Sequence, residues 1–283
     1  MVMIGCSKVQ ASNANSNDRA VTGKWALIVG IADFPLLDLE SSQITHIDNK
    51  LVLMVPARSD SLTYTVKDAC DFRNFLVDKA GFEPDHVKVL LNGQATSENI
   101  KFYLGSGWLH NVVNPDDLVV LYFSSHGSGA PYVDQNGANY IITSDFDEHN
   151  PDKTGLKMQD IGSLIKESIK SDRVVVIADT CFSANVTTRG EANQLIGSGQ
   201  IGVAACSANE TSIDDPIRAG GLFTSYLIES LERNNGALKA SFDEASAKVV
   251  RAARLRFHEQ HPIVDYSHWQ GSDAVLFAKH VSR

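Results

Sequence analysis

Two short apolar runs set what this chain can become: Leu118–Phe123 and Val174–Ala178, each unbroken and each giving way abruptly to small or polar residues. A strand with one wet face alternates apolar and polar positions, whereas an unbroken run of this length fits a strand covered on both faces. Further runs at Lys24–Ile31, Val87–Leu91 and Ile201–Cys206 alternate with segments of helical spacing at Val66–Leu76, Thr96–Leu109 and Met158–Ile169. That alternation predicts an α/β fold, a mostly parallel central sheet flanked by helices on both faces. Residues 7–23 are polar and rich in Ser and Asn, so 1–23 read as a flexible leader, with one domain over 24–283.

The two runs deliver chemistry at their carboxyl ends, where open α/β sheets bind ligands. One ends in Ser124-Ser125-His126-Gly127, the other in Asp179-Thr180-Cys181. A free thiol, with a pKa of about 8.5, is mostly protonated at neutral pH and needs a base to become a nucleophile. Histidine is suited to take that proton and return it to a leaving amine. His126 and Cys181 therefore form a candidate Cys-His dyad, and the N–H groups of Gly127 and Cys181 are candidates for an oxyanion hole.

These two stretches, with Ala26-Leu27-Ile28-Val29-Gly30-Ile31 upstream, resemble the caspase-like cysteine peptidases, and among them the metacaspase and bacterial orthocaspase branch. The resemblance runs from about Lys24 to Phe277 and implies the caspase-like fold and endopeptidase activity. It also implies a substrate pocket. Val66-Lys67-Asp68-Ala69 resembles the metacaspase Asn-Asp-Ala motif, and Asp179 the acid of the D-x-C motif; with Ser124 they would bind Arg or Lys at P1. Two carboxylates suit a guanidinium and discriminate against an acidic P1 residue. Phe182 and Ala184 depart from the family, which usually carries histidine and glycine there. By the same resemblance, the polar stretch 183–199 is where such enzymes are processed, with Arg189-Gly190 as the candidate bond.

No organic cofactor is implied. Calcium supports activity in some metacaspases, and Asp145 and Asp147 offer suitable oxygens, but no loop of regularly spaced carboxylates surrounds them, so metal stays outside the expected site. A net charge of −9 without a Lys/Arg cluster argues against nucleic acid, the resemblance implies protein or peptide substrates, and no apolar stretch is long enough for a membrane span. Cys6, Cys70, Cys181 and Cys206 show no paired spacing, which fits a reducing compartment and favours the cytoplasm; Cys206 reads as buried packing. Met1–Ser7 faintly resembles the end of a lipoprotein signal without its charged and long apolar parts.

Three local readings complete the expectation: a hairpin or strand inserted between Phe34 and Thr65, a Ser241/Glu244 capping box opening a helix that runs through His258, and a last strand at Ala274–Phe277. His258 and His261 read as exposed residues at that helix end, since their spacing misses the H-E-x-x-H zinc pattern. Two other functions stay open at this level. A catalytically silent scaffold would bind proteins through the same fold, and a nucleotide-binding domain would need a Gly-rich loop that Gly30-Ile31-Ala32-Asp33 does not supply.

Overall fold

The computed structural model describes residues 21–32, 34, 43–47, 50–54, 63–127, 140–147, 149–180, 200–207 and 209–269. In chain order these give β1 (Lys24–Gly30), β2 (Gln43–Ile47), β3 (Lys50–Met54), α1 (Thr63–Asp78), β4 (Val87–Leu91), α2 (Ser97–Leu104), α3 (Leu109–Val112) and β5 (Leu118–Ser124). There follow β6 (Tyr140–Ile141), α4 (Pro151–Thr154), β7 (Leu156–Lys157), α5 (Met158–Ser168), β8 (Val174–Asp179) and β9 (Gln200–Ala204). Then come β10 (Asp214–Asp215), β11 (Gly220–Gly221), α6 (Leu222–Arg233), α7 (Leu238–Arg254) and β12 (Ile263–Asp265).

The main sheet has the order β12-β9-β8-β5-β1-β4, parallel throughout except for β12, which pairs antiparallel with β9. The chain winds outward from β1 first to β4 and then, on the other side, to β5. That reversal opens a crevice at the carboxyl ends of β1 and β5. Side-chain alternation assigns the two faces. Ala26, Ile28, Val120, Tyr122, Val175 and Ile177 pack against α1, α6 and α7. Leu27, Val29, Val119, Leu121, Phe123, Val174 and Val176 pack against α2, α3 and α5. Every residue of β5 and β8 is buried, which is why the two runs contain no polar alternation.

The approach of α1 to the sheet depends on Gly30, where a Cβ would stand 2.6 Å from Ala69 Cβ and 3.0 Å from the Thr65 carbonyl. Thr65 donates its hydroxyl to the Ile31 carbonyl at 2.7 Å, anchoring the first turn of the helix directly to the strand end. Gly30→Ala is expected to cost about 1–3 kcal/mol by overpacking. Urea unfolding of variant and wild type checks this; an unchanged midpoint would show that the helix can recede freely.

Several expectations change. The inserted hairpin exists as β2 and β3. The helix expected from Val66 begins at Thr63, so Asp68 lies in its second turn and not beside its amino-terminal dipole. The Thr96–Leu109 helix is capped by the Thr96 side chain but stops at Leu104, because Gly105 and Gly107 disfavour continuation, and α3 restarts at Leu109. The Ser241/Glu244 capping box is overturned: α7 starts at Leu238 and ends at Arg254, and Ser241 donates its hydroxyl back to the Ala237 carbonyl from within the first turn. The described edge strand is β12; the expected strand at 274–277, the leader 1–20 and the 183–199 stretch with Arg189 lie outside the described residues. No helix of the described residues is long and apolar enough to cross a membrane.

Candidate active site

At the carboxyl end of β5, Ser124 is paired in register with Gly30 on one side and Asp179 of β8 on the other. Tyr122, Ser124 and Asp179 follow the alternation onto the face covered by α1 and α6, and α1 brings Asp68 to the same place. Asp68, Ser124 and Asp179 are all buried. The three expected pocket residues are thus brought together; Cys181, one residue beyond Thr180, lies outside the described residues.

The two carboxylates differ in their surroundings. Asp179 accepts the Ser212 hydroxyl at 2.7 Å on one oxygen, and the Thr224 hydroxyl at 2.7 Å and Thr224 N–H at 3.3 Å on the other. Burial still raises its pKa above the ordinary carboxylate range, with those hydrogen bonds working against the rise. Among the described residues Asp68 has a single donor, the Gly221 N–H, 2.9 Å from each of its oxygens. Its pKa is pushed well up, first by burial and then by the negative charge of Asp179. Among the described residues neither acid has a cationic side chain beside it, so whichever ionises second does so against the charge of the first.

Gly221 is positioned between them. A Cβ there would meet Asp68 Oδ2 at 2.5 Å and Asp179 Oδ2 at 3.1 Å, so any side chain would intrude between the acids. The β10–β11 hairpin that carries this glycine also presents Asp214 at its solvent edge. The Asp214 carboxyl is pushed up to about 6, first by the protein around it and then by Asp179. Asp215 ties the hairpin down, accepting Arg256 at 2.8 Å and the Ile217 N–H at 3.0 Å. Tyr122 joins the same network: its hydroxyl lies 2.7 Å from Thr224 Oγ1 and donates to it, because the Thr224 proton is already directed at Asp179.

His126 follows two residues after Ser124, half-buried, its ring 5.1 Å from that of Phe34. Burial lowers its pKa, so the imidazole is neutral, the form that accepts a proton, at neutral pH. Its backbone is clamped: the His126 carbonyl accepts the Ile142 N–H at 3.0 Å, and the neighbouring Ser125 hydroxyl donates to the Ile142 carbonyl at 2.6 Å. In the resulting antiparallel bridge Gly127 opposes Ile141 as the pair that does not exchange hydrogen bonds, so its N–H is not spent on Ile141.

Sequence reasoning missed Tyr122, Ser212, Asp214, Gly221 and Thr224 as the surroundings of the two acids. Only Tyr122 carried a local signal, its two-residue spacing from Ser124 along one strand face. The two acids considered for calcium have other work. Asp145 accepts the Ser97 N–H at 3.0 Å and the Thr143 hydroxyl at 2.7 Å, while Asp147 accepts the His149 N–H at 2.9 Å and the Asn150 amide at 2.8 Å. Among the described residues no third carboxylate joins them in a metal-holding group. Cys206 is fully buried as expected, its thiol 3.4 Å from the Thr180 carbonyl and 3.2 Å from that of Glu210. His258 and His261, expected as exposed residues at a helix end, lie beyond α7, partly buried and hydrogen-bonded to Thr211 and Glu210.

Comparison with solved structures finds the same architecture at low identity. Caspase-1 from Spodoptera frugiperda matches with a TM-score of 0.59 and 15% identity, covering 95% of this chain and 98% of the other. Protein GSU0716 from Geobacter sulfurreducens matches with a TM-score of 0.54 and 16% identity, covering 88% of this chain and 97% of the other. No curated protein matches. The mostly parallel sheet between two helical layers is therefore the caspase fold. The caspase domain family itself matches residues 23–270, and by that match, over most of its length, this chain belongs to the caspase-domain family of cysteine-type peptidases.

Proposed function

We propose that the protein is a cysteine endopeptidase of metacaspase or orthocaspase type, cleaving peptide bonds after Arg or Lys with a Cys181-His126 dyad. One observation carries the specificity: Asp68 and Asp179 are buried side by side at the end of the His126 strand, with no cationic side chain beside them among the described residues. A buried carboxylate without a countercharge is costly, and a P1 guanidinium or ammonium supplies that charge when it enters. An acidic P1 side chain would meet only like charge.

In this reading the neutral His126 imidazole takes the Cys181 thiol proton as sulfur attacks the scissile carbonyl carbon. The tetrahedral oxyanion is held by the Gly127 and Cys181 N–H groups. As the C–N bond breaks, the imidazolium gives its proton to the departing amine. Water, deprotonated by His126, then attacks the thioester; the sulfur leaves with the proton returned, freeing the carboxylic acid product. No step uses a cofactor or a metal.

The deciding assay compares arginyl, lysyl and aspartyl amide substrates under reducing conditions with calcium supplied, wild type beside Cys181→Ala. The expected result is turnover of the basic substrates only, and none by the variant. Equal behaviour of both proteins, together with a Cys181 thiol inert to iodoacetamide at neutral pH, would instead identify a silent scaffold.

A further inference from the structure

The loop at residues 205–213 carries Ser212, one of the donors to Asp179, and its attachment lies 48 residues away in sequence, at Gln260. Gln260 is fully buried. Its amide nitrogen donates to the Ala205 carbonyl at 2.9 Å and to Ser212 Oγ at 3.1 Å, and its amide oxygen accepts the Ile213 N–H at 3.2 Å. These partners allow one orientation only, because a reversed amide would set two donors, Nε2 and the Ile213 N–H, against each other. With Nε2 facing Ser212 Oγ, the serine hydroxyl accepts there, and its single proton is directed at Asp179 Oδ1, 2.7 Å away.

The residues beside Gln260 fasten the same loop on either side. His258 Nε2 lies 3.0 Å from the Thr211 carbonyl, and His261 binds Glu210 through its N–H at 2.7 Å and its ring Nδ1 at 2.6 Å. The segment 258–261 is thus a clamp across the loop, with its one fully buried side chain aimed at the serine that orients the pocket acid.

We infer that Gln260 is a positioning residue for specificity: through Ser212 it orients the Asp179 carboxylate and thereby sets affinity for a basic P1 side chain. The inference rests on the reading of this pocket as the P1 site. Because Gln260 acts on binding and touches no reacting atom, its loss raises KM and spares kcat.

The test is steady-state kinetics on an arginyl amide with wild type, Gln260→Leu, Gln260→Glu, Ser212→Ala and the Gln260→Leu/Ser212→Ala double variant, each checked for its thermal midpoint. Gln260→Leu is expected to raise KM roughly 10-fold with kcat changed by no more than about 2-fold. Gln260→Glu stays closest to wild type at about pH 5.5, where the introduced carboxyl is protonated and its single O–H can replace the donation to Ser212. Its KM ratio to wild type widens by about pH 8, when an ionised carboxylate faces Asp179. The double variant is expected to be no worse than Ser212→Ala, since both lie on one chain of hydrogen bonds.

Multiplying effects in the double variant, a pH-independent Gln260→Glu, or a loss in kcat alone would overturn the inference. So would unchanged kinetics in all variants of an active enzyme. If Gln260→Leu does not fold, Gln260→Glu and Ser212→Ala decide. A wild type inert toward the arginyl amide overturns the P1 reading and this inference with it.

Discussion

Asp68→Asn is expected to lower kcat/KM for an arginyl amide by roughly 100-fold, the usual scale for removing one partner of a buried charge pair. The same change is expected to raise the thermal midpoint at neutral and alkaline pH. The asparagine keeps an oxygen for the Gly221 N–H that now reaches both Asp68 oxygens, so the backbone contact survives. What disappears is a carboxylate buried next to Asp179. The sign follows from the raised pKa. The wild-type carboxyl contributes its full stability below the unfolded value of about 3.9 and loses it as pH climbs through the higher folded value. The variant should therefore gain little near pH 4 and progressively more toward pH 8, as read by melting curves across that range. A midpoint that falls at pH 8 would show that the Asp68 charge supports the fold, and an undiminished rate would remove it from the pocket.

A second large effect is expected in the pH dependence of P1 selectivity. Asp68, Asp179 and Asp214 all have raised pKa values, that of Asp214 reaching about 6. Each is neutral, and offers no attraction to a cation, until pH rises past its own value. His126, in contrast, is shifted down, and its protonation affects both substrates alike, so it cancels from their ratio. The ratio of kcat/KM for an arginyl over a citrullyl substrate, identical in shape but uncharged, should climb by roughly 10-fold or more between about pH 5 and pH 7.5. Binding of a P1 guanidinium should also expel a proton from Asp68 below its raised pKa, seen by calorimetry as a heat that varies with the buffer's ionisation enthalpy. A flat ratio with no buffer dependence would mean that the acids are ionised before substrate arrives.

The parts of the fold that were legible in the chain are those whose signal is local. β4 and α5 are marked by apolar runs or helical spacing and were found within a residue of their observed ends, and the doubly covered β5 and β8 could hardly be read otherwise. The start of α1 was not legible, because Thr63-Tyr64-Thr65 favours no helix by itself and is held by the long-range bond from Thr65 to Ile31. The capping box at Ser241 failed for a related reason. The turn through Gly236, with φ of 79°, starts α7 early, and Ser241 is absorbed into the helix. In the pocket, the residues on strand ends and on α1 could be proposed from motifs. Ser212, Thr224 and Gln260 could not, since they meet Asp179 or its serine across 33, 45 and 48 positions.

Ser124 and Asp179 reach the pocket only because each falls on the correct side of a two-residue alternation, in step with Tyr122 and Ile177. One extra residue inside β5 or β8 would leave its oiliness almost untouched yet turn that strand's polar end toward α5, on the far side of the sheet. Strand length counted in whole pairs of residues thus decides where these polar ends lie, and the interior of these strands should tolerate swaps among Val, Ile and Leu far better than any insertion.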